Sequence, residues 1–356
     1  MNLLRAAQTA NADSSRGLLQ VNVVSIQNNF PISGASVTIA SKANPEQIIE
    51  RISTNSSGQT QQVSLPAPPL EYSFDPGGPV PYSEYVVSVE AEGFQPFTVT
   101  GTEILPDSTA IQPIRLTPEN QPEASDTANI PDHTLVGDYP PKIAEAEIKP
   151  VNESGEIVLS RVVVPQTIVV HDGLPSNSNA PNYFVPYRDY IKNVACSEIY
   201  STWPQSTIVA NVLAIMSFTL NRVYTEWYRN QGYDFTITSS TAFDHKWIHD
   251  RNIFESISVI VDEIFDSYLS RPGVKQPILT QYCDGKRVQC PDWMALWQIV
   301  ITFASSYFSS VKCRLHKKMP ESVSPLLTLP GPIASASNLH TDIIMHTFPL
   351  SDKRFS

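Results

Sequence analysis

Between Leu18 and Leu116 apolar and polar residues alternate in short runs: Val21-Asn22-Val23-Val24, Ala35-Ser36-Val37-Thr38-Ile39, Tyr85-Val86-Val87-Ser88-Val89 and Phe97-Thr98-Val99-Thr100. A period of two places alternate side chains on one face, so these runs predict half-buried strands packed as a sandwich. Between them lie Ser33-Gly34, Asn55-Ser56-Ser57-Gly58, Asp75-Pro76-Gly77-Gly78 and Glu92-Gly93, where glycine permits the positive φ of a tight turn. No helical periodicity competes in this stretch.

The pattern changes at residue 119. Glu119 to Asp126 is polar and acidic, and Pro131, Pro140, Pro141 and Pro150 keep the chain beyond it extended, which predicts an exposed connector over 119–160 open to proteases. Arg161-Val162-Val163-Val164 and Thr167-Ile168-Val169-Val170, split by Pro165, predict the first strands of a second domain. From Tyr187 the period becomes helical. Tyr190, Val194 and Glu198 share a face at i, i+4 and i+8, and Pro204 ends that helix or bends it. Ser206 to Tyr228 runs without Gly or Pro and predicts a core helix carrying Ile208, Val212, Ile215, Met216, Leu220, Val223 and Trp227. A strand at Phe235–Thr238 and an amphipathic helix from Ile253 to Leu269 complete an α+β pattern.

With 356 residues the chain exceeds what one hydrophobic core organises, which supports the division into domains. Its net charge of −11 argues against a nucleic-acid partner, because phosphate recognition needs clustered Lys and Arg. The sequence predicts no membrane span, and Met1 to Gln20 shows no recognisable signal peptide. Cys196, Cys283, Cys290 and Cys313 are too scattered for a disulfide framework. Cys283 and Cys290 are compatible with free thiols, a small disulfide loop or half of a metal site, although no His lies between Leu279 and Trp293.

Gly34-Ala35-Ser36-Val37, Thr54 to Gly58 and Tyr85 to Phe94 together resemble the carboxypeptidase regulatory-like, transthyretin-type sandwich. That likeness implies a bracing or binding module and no chemistry. A second block, Tyr190-Ile-Lys-Asn-Val194-Ala-Cys-Ser-Glu198-Ile-Tyr200-Ser-Thr-Trp203-Pro204, resembles the signature of the stage II sporulation protein D family of peptidoglycan enzymes. Thr238-Ser-Ser-Thr241-Ala-Phe-Asp244 and Gln281-Tyr-Cys-Asp-Gly285 resemble later blocks of that family. Ile168 to Pro175, Ser217 to Arg229 and Thr280 to Pro291 are similar to the germination-specific cortex-lytic enzymes of clostridia, a likeness running from about residue 18 to 297.

These resemblances imply a multidomain chain: an unstructured 1–17, a β-sandwich pro-domain at 18–118, a connector at 119–160 holding the pro-region cleavage, and an α+β catalytic domain at 161–297. They imply a zymogen in the spore cortex or at the coat/cortex boundary. Its partners would be cortex peptidoglycan and a subtilisin-like germination protease, and it would need no cofactor and no metal. The reaction would cleave glycan between muramic acid and glucosamine. Two departures limit the transfer. Met216 stands in the long helix where many sporulation-protein relatives carry Arg, and after Trp297 the family's continuation is lost. From Gln298 to Ser356 six basic residues face three acidic ones, a net of +3 that leaves −14 for the remainder. This 298–356 tail reads either as an out-of-frame or recombined extension or as a divergent native one.

The position that matches the family's catalytic glutamate is Glu198. An acid that protonates a glycosidic oxygen must stay protonated near neutral pH, and partial burial beside Tyr190, Val194, Ile199, Tyr200 and Trp203 would favour that form. Most glycosidases use two carboxylates. No second acid follows Glu198 within 25 residues, which suits a lytic transglycosylase, whose substrate supplies its own C6 hydroxyl as nucleophile. Asp244, Glu255 and Asp262 remain partners that folding could bring near. Tyr200 and Trp203 are candidates for stacking on sugar rings or for the core, and Thr241 and Asp244 for substrate contacts. His245 and His249, at i and i+4, lack the acidic partner of a metal motif and read as a surface turn. The rival functions are a non-catalytic peptidoglycan-binding or amidase-enhancing protein, and a hydrolase that uses water.

Overall fold

The alternation read between Leu18 and Leu116 is realised in the strands at Arg16–Ser25, Ser36–Ser41 and Ser83–Glu90, while that at Asn44–Ser53 is exposed along most of its length. A computed structural model of the chain describes residues 15–75, 78–133, 135, 159–271 and 273–281, and the backbone of Ile344–Thr347. In chain order the strands are β1 (Arg16–Ser25), β2 (Ser36–Ser41), β3 (Asn44–Ser53), β4 (Val63–Pro66), β5 (Ser83–Glu90), β6 (Phe97–Ile104), β7 (Thr109–Leu116), β8 (Thr127–Asn129), β9 (Thr167–His171) and β10 (Asn182–Pro186). Then come helices α1 (Tyr187–Glu198) and α2 (Gln205–Tyr224), β11 (Ile237–Thr238), β12 (Ile253–Phe254), α3 (Glu255–Ile264), β13 (Ser267–Ser270) and β14 (Ile344–Thr347). The chain divides into two compact units. One comprises Met1–Gly137, Cys196–Trp203 and Ile248–Val259, and the other Asp138–Ala195, Pro204–Trp247 and Ile260–Ser356.

The first unit is β-rich. One sheet has the order β12-β7-β1-β4 and the other β3-β2-β5-β6-β8. Leu19, Val21 and Val23 of β1, Val37 and Ile39 of β2, Val87 and Val89 of β5 and Ile114 and Leu116 of β7 are buried, every second residue as the sequence predicts. Gly34, Gly58 and Gly93 take positive φ at the expected turns.

Gly101 has a less expected role. It has φ +94, and a Cβ there would run into the carbonyl of Ile130. It falls at a break in the β5–β6 register, where Tyr85 pairs with Thr102 and Val86 with Thr100, so Gly101 is the extra residue of a bulge. The bulge shifts the alternation by one. Thr102 then bonds Gln112 of the other sheet at 2.8 Å, and Glu103 turns to the opposite side, where it is nonetheless 1% exposed.

Several sequence expectations need correction. The connector expected from 119 begins with structured chain: β8 pairs in parallel with β6, and Ile130 and His133 are buried. Arg161–Val164 is not a strand, consistent with Pro165 removing a ladder donor. The helix expected over 206–228 ends at Tyr224, and that over 253–269 is cut down to α3 between β12 and β13. Residues 1–14 and 136–158, Cys283, Cys290, Cys313 and almost all of the 298–356 tail lie outside the described residues.

In the second unit β10-β9-β11 form a three-stranded sheet, and β13 pairs with β14. Helix α2 is buried on nearly all sides, polar residues included. Asn211, Ser217 and Thr219 turn their side-chain donors back to the carbonyls of Thr207, Leu213 and Ile215, which gives each donor a partner inside the core. This helix is long and apolar enough to cross a membrane, but 78% of its apolar window is buried inside the protein, as in the core helix of a folded domain.

Candidate active site

Helix α1 stops at Glu198, which is half-buried in its last turn. Tyr190, Val194 and Ala195 of this helix are fully buried, so the predicted shared face is the packed one. The chain then turns, with Trp203 N–H donating to the Tyr200 carbonyl at 3.1 Å, and Pro204 opens α2 with φ −53, the value its ring fixes.

Tyr200 and Trp203 flank this turn but do not offer their faces to a sugar. They are 5% and 4% exposed. The Tyr200 ring lies 4.7 Å from that of His133 and meets Trp203 edge-on at 5.9 Å, while the indole N–H donates to the Ser73 carbonyl at 2.8 Å. Of the two fates open to these rings, the core is the one realised. Their burial follows from the sandwich supplying both an aromatic neighbour and an acceptor.

Asp244 is likewise structural rather than substrate-facing. It is fully buried, and its Oδ1 accepts from Arg222 Nε at 2.7 Å. Its Oδ2 accepts from the Tyr228 hydroxyl at 2.6 Å, and from the backbone N–H and the hydroxyl of Thr238 at 2.9 and 2.7 Å. A carboxylate with both oxygens so engaged has little capacity left for a ligand. Burial, and then the Asp244 charge, push the Tyr228 phenol far above its ordinary value, so it stays a neutral donor. Thr241, in the turn before Asp244, is half-buried.

His245 departs from the surface turn expected of it. It is 1% exposed, its ring lies 4.4 Å from that of Phe218, and its Nδ1 is 3.3 Å from the Tyr190 hydroxyl. His249 is the partly exposed one and lies 2.8 Å from Asp250 Oδ2. Among the described residues no three His, Cys, Asp or Glu side chains cluster as a metal site, and Cys196 is a buried thiol outside any disulfide.

The second unit contains a cleft of about 190 Å³ lined by Leu159, Val163, Arg222, Glu226, Tyr228 and Phe235 among others. It backs onto the Asp244 cluster. Glu226, at φ +46, ion-pairs with Arg229 at 3.3 Å. Arg222, rather than Met216, is the residue of α2 that the sequence should have singled out. A lone cation near the end of an otherwise uncharged core helix is the signal, since a buried Arg needs a carboxylate.

A second buried ionic cluster is also absent from the sequence expectations. Arg251 grips Glu103 through two bonds, of 3.1 and 2.6 Å, and His133 Nδ1 stands 3.2 Å from Glu103 Oε2. Burial alone would raise the pKa of Glu103. The charges of Arg251 and then His133 override it and hold the carboxyl below the usual carboxylate range. Nothing local in the sequence marks a pair 148 residues apart.

No protein-family model and no curated protein sequence matches the chain. Solved structures similar to part of it include the Bacillus anthracis TIE protein (14% identity over 29% of this chain and 17% of that one, TM-score 0.21). Another is Klebsiella pneumoniae 5-hydroxyisourate hydrolase (14% identity, 29% and 92%, TM-score 0.20). A third is GBS52, the minor pilin of Streptococcus agalactiae (17% identity, 31% and 48%, TM-score 0.21). The chain spans less than a fifth of the TIE protein and about half of the pilin.

Proposed function

We propose that this chain is the precursor of a spore-cortex peptidoglycan lytic transglycosylase with Glu198 as its acid, built on a domain of the stage II sporulation protein D type. The observation that carries the reading is the Tyr190-to-Pro204 block, in which Glu198 ends a helix whose preceding turns are buried while it remains half-exposed at their edge. In the proposed reaction the Glu198 carboxylic acid gives its proton to the leaving glycosidic oxygen as the C1–O bond breaks. The resulting carboxylate then takes the proton of the muramic acid C6 hydroxyl as that oxygen bonds to C1, closing a 1,6-anhydro ring. One carboxyl group serves both steps.

A subtilisin-like germination protease would cut the connector, and cortex peptidoglycan would be the substrate. The burial of Tyr200, Trp203 and Asp244 removes three of the expected sugar contacts, leaving Glu198 and Thr241 of that set partly exposed; the rival readings are a non-catalytic peptidoglycan-binding or amidase-enhancing protein and a water-using hydrolase. Incubation of the connector-cut protein with cortex sacculi, followed by mass spectrometry of the soluble products, separates the readings. Anhydro-muramic ends support the transglycosylase, reducing ends a water-using hydrolase, and binding without release the non-catalytic protein.

A further inference from the structure

We propose that residues 15–133 are a lasting binding partner for two later segments of the same chain, Cys196–Trp203 and Ile248–Val259, so that cutting the connector gives a two-fragment complex rather than a released leader. All three stretches belong to one compact unit. The later segments contribute to its core and complete its hydrogen bonding. Ile253 and Phe254 form β12, which extends the β7 edge of the sandwich, and Phe254 is fully buried. The Asn252 side chain imitates a strand, accepting from Glu103 N–H and donating to Glu103 C=O, both at 3.1 Å. Gln112 Nε2 donates to the Asp250 carbonyl at 2.9 Å.

Arg251 closes the bond set. Its guanidinium and the Glu103 carboxylate have side chains 0% and 1% exposed, so separation would strand two charges in a site built to hold both. On the other segment Trp203 donates to Ser73, and the hydroxyls of Ser201 and Ser108 lie 2.8 Å apart. The segments also hold each other, since Phe254 N–H donates to Cys196 Sγ at 3.3 Å. A desolvated Arg and Trp, each hydrogen-bonded across the seam, is the composition of an interface hot spot. The contacts with Ser73, Glu103 and Gln112 join residues on either side of the connector and do not depend on the chain between them being intact. The inference stands whatever Glu198 does.

The test inserts a site-specific protease sequence between Ala144 and Glu145 of the full chain, cuts it, and follows the two fragments by size-exclusion chromatography and native mass spectrometry. They are expected to co-elute at the mass of the uncut chain. Arg251→Met should speed their dissociation by at least about 30-fold, the conversion of the loss on truncating one partner of a buried charge pair. Should Arg251→Met fail to fold before cutting, Trp203→Phe, which keeps one aromatic ring but loses the donor to Ser73 and part of the buried ring surface, should speed it about tenfold. Separate elution of the N-terminal fragment from the cut wild-type protein overturns the proposal. So does a dissociation rate that these substitutions leave unchanged.

Discussion

Arg251 Nη2 lies 2.6 Å from Glu103 Oε2, and both side chains are sealed from solvent although 148 positions separate them in sequence. The bulge at Gly101 is what turns Glu103 to meet this arginine. Removing one partner leaves the other charge buried and uncompensated, which typically costs about 3–5 kcal/mol. Arg251→Met should therefore lower the stability measured by urea denaturation by about that amount. The double variant Glu103→Leu/Arg251→Met should be less destabilised than either single one. Additive losses would show that the pair is not coupled.

Acid should loosen the same unit. The folded pKa of Glu103 lies below its unfolded value, so its contribution is present above the unfolded value, near 4.5, and is lost as pH falls through the folded one. The urea midpoint of the wild-type protein should fall on acidification below about pH 4.5. In Glu103→Gln that part of the decline should be absent. Because the group is buried, added salt should change the effect little.

Asp244→Asn should destabilise the second unit by about 3–5 kcal/mol, since an amide cannot accept from Arg222, Tyr228 and Thr238 together and leaves the guanidinium uncompensated. Affinity for peptidoglycan, measured by sacculus co-sedimentation at a temperature where the variant is folded, should not change. A loss of affinity with stability intact would restore Asp244 as a substrate contact.

Trp203→Phe should behave in the same manner. It leaves the Ser73 carbonyl without its indole donor, a loss of about 1–3 kcal/mol. A ring used for sugar stacking would instead show its loss in sacculus binding while the denaturation midpoint held.

Local and remote interactions differ in how plainly the sequence announces them. Strands β1, β2, β5 and β6 are legible because period-two alternation and turn glycines are local, and helix α1 because Tyr190, Val194 and Glu198 recur every four residues in its sequence. Pairing between remote segments leaves no such trace. Ile253 and Phe254 read as the start of a helix because Phe254, Ile257, Ile260 and Val261 continue its apolar face, yet the first two residues are taken by the β7 edge. Tyr200 and Trp203 carry the same residue types whether they face a sugar or a core, and only the neighbours His133 and Ser73 decide between them. Asp244 reads as a substrate contact in sequence because its donors, Arg222 of α2, Tyr228 beyond it and Thr238 of β11, are not joined by any local pattern.

The proposed reaction rests on one carboxyl group, that of Glu198. Cortex sacculi should be digested in parallel by connector-cut wild-type protein, Glu198→Gln and, as a folded control, the exposed-site variant Glu263→Gln, with anhydro-muramic products counted by mass spectrometry. The amide is nearly isosteric but cannot give the proton, so Glu198→Gln should lose about 10²- to 10⁴-fold in rate at unchanged thermal stability, while Glu263→Gln matches the wild type. Anhydro-product formation by Glu198→Gln at the wild-type rate would place the acid elsewhere and contradict the account.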